Sequence, residues 1–353
     1  MGKRILVINP GSTSTKVAMY DDESRLWDAS IEHSLEDLKP FPTILDQVDM
    51  RFRLVEETMR AQGYDAKDLD AVVSRGGPFA TVESGAYEIG EAMLEKMRTD
   101  PIDNHASNTG MEIAYRIGRE AGIPAYIYDA VTVDEMLPVC RVVGMKGMAR
   151  RGQGHNLNMR ASALRLCREQ GWDYAEKTIL VAHLGGGISL SIHQNGRIVD
   201  MISDDEGPFA PERAGGLPNF QLIDLCFSEG MTRAEVLRRF QRAGGLISLL
   251  GTADLREVGR RVDGGDAEAA LVYEAMALSV AKNLAKLAPV ACGRIDAVVL
   301  TGGIAQSERF TGLVKERAGF LAPVYVLPGE NEMEALALGA LRVLRGEEAA
   351  KAY

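Results

Sequence analysis

Two stretches, ILVINPGSTSTKVAMYDDESRL beginning at Ile5 and ILVAHLGGGISLSIHQNGRIVD beginning at Ile179, read alike. Each opens with an apolar run rich in β-branched residues, passes through a loop of small residues and returns as a second apolar run. That alternation of strand and turn signals predicts a hairpin in each place. In the first, residues 3–9 and 16–20 are the strands. Pro10, Gly11, Ser12, Thr13 and Ser14 form the turn, and Asp21, Asp22 and Glu23 turn the chain again.

The likeness continues outward. DAVVSRGG from Asp70 matches DAVVLTGG from Asp296, and PAYIYD from Pro124 matches PVYVLP from Pro323. The three pairs fall in the same order in each half. The spacing is far longer than the roughly 20–50 residues of a solenoid unit, so the expectation is two duplicated α/β domains with a central cleft. Apolar residues at helical spacing predict helices over 41–62 (Ile44, Leu45, Val48, Phe52, Val55, Met59) and 105–121. The second has Asp103 or Asn104 as cap and Gly122 as stop. A long helix over 267–291 breaks near Pro289. The basic, glycine-containing stretch MARRGQG at 148–154 marks the expected boundary, giving domains over 1–150 and 151–331. A C-terminal helix over 332–345 is expected to complete the first domain with the rest of 332–353, although periodicity does not say which domain it covers.

Composition narrows the function classes. The 353 residues are 46% hydrophobic and 25% charged, as in a soluble globular protein of two domains. The formal net charge of -10 argues against a nucleic-acid partner. Cys140, Cys167, Cys226 and Cys292 are too scattered for a C-x-x-C motif and read as isolated buried thiols in a reducing compartment. The opening MGKRILVINPGS does not read as a signal peptide, and no run approaches a membrane span. A cytoplasmic location is expected.

Several loops carry chemistry. In 9–16 a glycine lets backbone N–H groups approach an anion, with hydroxyls from Ser12, Thr13 and Ser14 and a charge from Lys16. An ordinary turn is the rival reading, since Asn-Pro-Gly is common turn chemistry. The second loop holds Gly185, Gly186 and Gly187 after a buried strand, costly to order unless a ligand needs the space. Gly302 and Gly303 sit at a strand end that opens a helix, a place suited to a nucleotide. Neither a P-loop nor a G-x-G-x-x-G fingerprint is present. Arg75 follows a buried strand and precedes two glycines, which aims it at a cleft rather than at solvent. Arg213, among prolines and glycines, is a second candidate, with a loop anchor as its rival role. Asp129 ends an apolar strand, where a turn cap is the alternative. His33 and His193 read as surface residues, and Asp204, Asp205 and Glu206 as a solvated acidic turn.

The segments INPGSTSTK, SRGG, NHASN, YDAVTVDEM, HLGGGIS, GPFAPER, GTADLREV, LTGGIA and NEMEALALGALRVLRGE together resemble the acetokinase family. The match to its butyrate kinases runs nearly the whole chain. The resemblance implies two ribonuclease H-like domains, as in sugar kinases, actin and chaperone ATPases. It implies ATP/ADP and Mg²⁺ as cofactors, a short-chain carboxylate as substrate and a homo-oligomer, at least a dimer. Carried over position by position, Asn9, Ser12, Ser14 and Lys16 match the first phosphate loop, and His183 with Gly185, Gly186 and Gly187 the second. Asp254 and Arg256 match the segment near ribose and base, and Gly302 and Gly303 the adenosine motif. Arg75 and Arg213 match the arginines around the transferred phosphoryl group. Asp129 and Glu332 match the magnesium-linked carboxylates, with Glu334 competing for the latter. His105 matches a histidine beside the acyl pocket. Where acetate kinases carry a phrase like H-G-T-S-H, this chain has His155 and then Met159 in place of the second histidine, with Asn158 as a substitute donor at best.

The chemistry so implied is carboxylate plus ATP giving acyl phosphate plus ADP, with butyrate as acceptor. A carboxylic acid is already ionised at neutral pH, as the side chains of Asp and Glu are. No general base is needed; two anions must be brought together, which calls for fixed positive charge. Pro78, Phe79, Phe209 and Pro211, near the arginines, are candidates for the alkyl pocket. Branched-chain, propionate or acetate kinases are the near alternatives. A sugar kinase using Asp129 as base and a nucleotide-switched scaffold without a carboxylate substrate are the more distant ones.

Overall fold

The computed structural model describes residues 2–353. The chain divides into two units, Met1–Asp134 with Asn331–Tyr353, and Glu135–Glu330. The first is built on six strands: β1 (Arg4–Pro10), β2 (Ser14–Asp21), β3 (Ser24–Glu32), β4 (Ala71–Arg75), β5 (Ala86–Glu88) and β6 (Ala125–Tyr128), in the order β3-β2-β1-β4-β6-β5. β1, β2 and β3 run antiparallel, whereas β4 and β6 continue parallel to β1. Ile5, Leu6, Val7 and Ile8 have no exposed surface. A strand covered on both faces needs an unbroken apolar run rather than alternation. Helices Val48–Ala61 and Ser107–Ala121 cover one set of these side chains, including Leu6, Ile8, Val17 and Met19. The C-terminal helix Glu332–Leu344 packs on β1, β4 and β6. Gly339 makes that approach possible, because a Cβ there would lie 2.5 Å from the Tyr128 ring.

The second unit has β7 (Ile179–Leu184), β8 (Ile188–Gln194), β9 (Arg197–Ile202), β10 (Ala297–Gly302) and β11 (Val324–Pro328), in the order β11-β10-β7-β8-β9. Read from β9, that is the order of β3, β2, β1, β4 and β6. The repeat extends to single hydrogen bonds. The Asp70 carboxylate accepts the Arg4 N–H (2.9 Å) and its own N–H donates to the Arg4 carbonyl (2.8 Å). Asp296 does the same with Thr178, at 2.8 Å in both directions. Lys3 and Lys177 stand at matching positions, 3.1 and 3.6 Å from the two carboxylates. The fold is therefore α/β, with duplicated actin-like ATPase units.

The structure departs from the sequence reading in several places. The break falls at 134/135, ahead of the basic 148–154 stretch. Arg150 explains the difference: its half-buried guanidinium binds Asp200 (2.9 Å) and Glu206 (2.7 Å), which ties that stretch into the second unit. Glu206 and Asp204 are thus partnered rather than a free acidic turn. The helix expected from 105 starts at Ser107, and neither Asp103 nor Asn104 caps it. Instead His105 Nδ1 accepts the Ser107 N–H at 3.2 Å. His33 and His193 are buried, not superficial. The Thr15 hydroxyl holds His33 (2.8 Å), and Tyr174 and Ser191 hold His193 (2.7 and 2.8 Å). All four cysteines are free, but Cys226 and Cys292 are exposed. Among the described residues, no helix is long and apolar enough to cross a membrane.

Candidate active site

In the first unit the expected residues gather at the C-terminal ends of β1 and β4. Asn9, buried at the end of β1, donates from Nδ2 to Glu332 Oε2 at 2.8 Å. Arg75 ends β4, and its guanidinium lies 3.0 Å from Glu332 Oε1. Glu332 opens the C-terminal helix, where the helix dipole favours a carboxylate. Glu334 makes neither contact, so Glu332 is the carboxylate that meets the other two. Arg75 Nε–H is buried and has no hydrogen-bond partner. A buried unpaired donor is costly, and this one belongs to a cation.

Lys16 pairs with Asn9 across the β1–β2 hairpin, which puts both side chains on one face of the sheet. Its ammonium is exposed and makes no contact among the described residues. Ser12 is exposed and Ser14 half-buried in the turn itself. His105 is held below the usual histidine range, first by desolvation and then by the nearby Arg75 charge, so the ring is neutral at pH 7. Asp129 is buried with a left-handed φ of 43°, and its Oδ1 accepts the Gly85 N–H at 2.7 Å. That is the turn-capping geometry left open as its alternative, and it leaves Glu332 the more accessible of the two carboxylates expected at magnesium. Pro78 is buried, and Phe79 is wholly buried with its ring edge-on to Tyr353, 5.3 Å between centroids.

In the second unit a cavity of about 660 Å³ opens beside the glycine loop. Gly185, Gly186, Asp254, Arg256 and Gly303 line it, with Pro211. Its volume suits a small-molecule ligand. Pro211, expected at an alkyl pocket, stands here among the nucleotide candidates. Asp254 caps the helix Leu255–Asp263 by accepting the Arg256 N–H at 2.9 Å, and its carboxylate also holds the Arg256 side chain (3.0 Å). Gly302 has φ 91°, and a Cβ there would lie 2.4 Å from the Leu184 carbonyl, so no other residue fits. The triple glycine is different. None of Gly185, Gly186 and Gly187 has positive φ. A Cβ at Gly185 would press on His183 Nε2 at 3.0 Å and Glu330 at 3.3 Å, whereas at Gly186 and Gly187 the nearest atoms are 3.7 and 3.4 Å away, so the unit itself leaves room at those two positions. Gly187 and the half-buried Phe209 lie outside the cavity lining.

His183 ends β7 and is buried. Its ring stacks on His155 at 3.8 Å. A polar chain fixes its proton. Thr301 Oγ1 donates to the Gly329 carbonyl (3.3 Å), so it accepts from Asn158 Nδ2 (3.3 Å). The same amide nitrogen then donates to His183 Nδ1 (2.9 Å). With Nδ1 accepting, the ring carries its N–H at Nε2, which makes no hydrogen bond among the described residues and lies 3.4 Å from Glu330 at the cavity wall. Asn158 is thus the partner of His183, not a replacement for the missing histidine. Met159 is buried, its sulfur receiving the Ser191 hydroxyl at 3.3 Å. Arg213 is occupied within its unit by Asp204 (3.1 Å), Glu212 (3.5 Å) and the Gln241 carbonyl.

Sequence reasoning missed Arg51, Asn158 as a partner of His183, and Glu330. Arg51 had a signal. It falls in the stripe of Val48, Val55 and Met59 that the helix Val48–Ala61 buries, where a charge is out of place unless it has partners.

Residues 156–320 match the model of the acetokinase family. The matched part carries His183, the glycine loop, Arg213, Asp254, Arg256, Gly302 and Gly303. Solved structures extend the likeness at the level of fold. An acetate kinase from Porphyromonas gingivalis superposes with a TM-score of 0.80 at 20% identity, covering 97% of this chain and 100% of that one. A propionate kinase from Francisella tularensis gives 0.76 at 18%, covering 96% and 98%. An ROK hexokinase from Thermus thermophilus gives 0.51 at 15%, covering 98% and 99%.

Proposed function

We propose that this chain is an acetokinase-family enzyme, a magnesium- and ATP-dependent carboxylate kinase with butyrate as acceptor, working as a homo-oligomer. The observation that carries the reading is the meeting of Asn9, Arg75 and Glu332, with an unpaired Arg75 N–H between a phosphate-type loop and a carboxylate. Hydrolysis by water or phosphorylation of a sugar hydroxyl does not call for such an arginine. Phosphorylation of an anion does, because Arg75 forms forked hydrogen bonds to carboxylate or phosphoryl oxygens and offsets their repulsion. Solved relatives of like fold are named acetate and propionate kinases, which supports a short carboxylate as substrate. The segment resemblances to butyrate kinases support butyrate among them.

Each unit contributes its own part. Glycines 185–187 and 303, with Asp254 and Arg256, suit adenosine and its phosphates in the 660 Å³ cavity. His183 offers its Nε2–H to a phosphate oxygen. Asn9, Ser12, Ser14 and Lys16 offer donors and charge to the transferred phosphoryl group. Arg213 takes part by exchanging Asp204 and Glu212 for ligand oxygens. The donor set fits Mg²⁺: Glu332 is an accessible oxygen ligand, and this ion needs only one or two carboxylates beside phosphates and water. The ion would neutralise phosphate charge. Asp129, accepting the Gly85 N–H, holds the turn that follows β6. The test is acyl phosphate trapped as hydroxamate, with ATP, Mg²⁺ and a panel of acetate, propionate, butyrate, isobutyrate and valerate beside a set of sugars. Butyrate should have the highest kcat/KM. Sugar phosphate without hydroxamate would overturn the reading.

A further inference from the structure

Arg51 is wholly buried, yet none of its acceptors is a carboxylate. It lies beneath the turn joining β1 to β2. Its Nη1 donates to the carbonyls of Gly11 (3.0 Å) and Ser14 (3.2 Å) and to Thr15 Oγ1 (2.9 Å). Its Nη2 donates to the Ser12 carbonyl at 3.2 Å. Gln47 Oε1 accepts from Nε (3.1 Å) and Nη2 (2.9 Å). The remaining turn carbonyl, Thr13, accepts the His33 N–H at 2.8 Å. Every carbonyl from Gly11 to Ser14 is therefore turned inward.

In a trans peptide the N–H points opposite to the preceding C=O, and there is no cis peptide bond among the described residues. The N–H groups of Ser12 and Thr13 accordingly face away from Arg51, on the exposed side of the turn. The neighbouring ring adds no charge: His33 Nε2 lies 2.8 Å from Thr15 Oγ1, the hydroxyl that accepts from Arg51. Burial and the Arg51 charge both hold His33 below the usual range, hence neutral. Burial alone brings Arg51 down to about 10, so it stays charged at pH 7. A buried cation left uncompensated is expensive, and an anion seated on the turn relieves it.

We propose that Arg51 is the positioning residue of the 11–15 turn and its built-in counter-charge, turning the N–H groups of Ser12 and Thr13 outward and drawing the phosphoryl end of ATP onto them. This rests on the reading of the turn as a phosphate loop. A merely structural arginine would be indifferent to, or stabilised by, a carboxylate in place of Gln47; a counter-charge would be cancelled by it.

The experiment compares wild type, Gln47→Glu and Arg51→Lys by calorimetric Kd for MgATP, Tm and hydroxamate activity. Gln47→Glu keeps the geometry, so Tm should hold or rise while the Kd for MgATP weakens by at least about fivefold. Arg51→Lys keeps the charge but loses the fork, and should lower both Tm and affinity. An unchanged Kd in Gln47→Glu at unchanged Tm overturns the proposal. A wild type that binds MgATP but makes no acyl phosphate overturns the kinase reading alone, with the Kd comparison still read. No MgATP binding at all overturns both.

Discussion

Arg75 and Glu332 stand 257 positions apart in the chain and 3.0 Å apart in the fold. One ends a central strand and the other opens the last helix. The pair is only partly buried, so it is an exchangeable contact, and an incoming carboxylate or phosphoryl oxygen competes for the same guanidinium.

Arg75→Ala should therefore cut kcat by roughly 10²–10³, the range for losing one transition-state donor. Arg75→Lys should recover little, because a point charge does not reproduce the fork. Hydroxamate kinetics at saturating ATP check this, and near-normal turnover in the alanine variant would take Arg75 out of the mechanism.

Glu332 and Glu334 separate in a magnesium titration. Glu332→Gln should raise the Mg²⁺ concentration giving half-maximal rate. Glu334→Gln, which touches neither Asn9 nor Arg75, should track wild type. Equal shifts in both variants would argue for a diffuse charge effect instead.

Asn158 sets which nitrogen of His183 carries the proton. Asn158→Asp replaces that donor with an acceptor and draws the proton to Nδ1. The Kd for MgATP should weaken by about tenfold, the scale of one hydrogen bond to a charged group. Nitrogen NMR of His183 should show an Nε2–H ring in wild type and lose it in the variant. A wild-type Nδ1–H ring would sink this assignment.

His193 makes the fold acid-sensitive. Burial, then Arg160, pushes its pKa down to about 3, whereas in the unfolded chain it is ordinary, near 6.5. Below about pH 6.5 the unfolded state binds the extra proton, so stability is full above that pH and is lost as pH falls toward 3. The slope is about 1.4 kcal/mol per pH unit for one such group. His193→Gln should give a shallower fall of Tm between pH 6.5 and 4, and an identical fall would clear this histidine.

Gly339→Ala tests the seating of the last helix. Its Cβ would meet the Tyr128 ring at 2.5 Å, so overpacking should cost about 1–3 kcal/mol. Thermal denaturation reads this directly. Loss of Tm should come with reduced activity, because the same helix carries Glu332.

Much of the architecture was legible because it is written locally. Ile5 to Ile8 and Ile179 to Ala182 are continuous apolar runs, and their strands are buried as such. Gly122 and Pro289 end helices where expected, since a left-handed stop and a missing N–H act within one turn. The 134/135 break was not legible, because Arg150 joins its unit through Asp200 and Glu206, residues 50 and 56 positions away. His33 and His193 were misread for the same reason: Thr15 and Tyr174, which help to hold them, lie 18 and 19 positions away.

The sequence by itself determined two strand-loop-strand repeats, their glycine-rich turns and the residue types available to hold anions. Those are properties of short windows, where backbone preference and apolar spacing suffice. Only the tertiary structure decided that Glu332 rather than Glu334 meets Arg75 and Asn9, that Asp129 caps a turn, and that Arg51 lies beneath the first loop. A side chain's partner and its burial are set by segments brought together from far along the chain, and no local pattern encodes them.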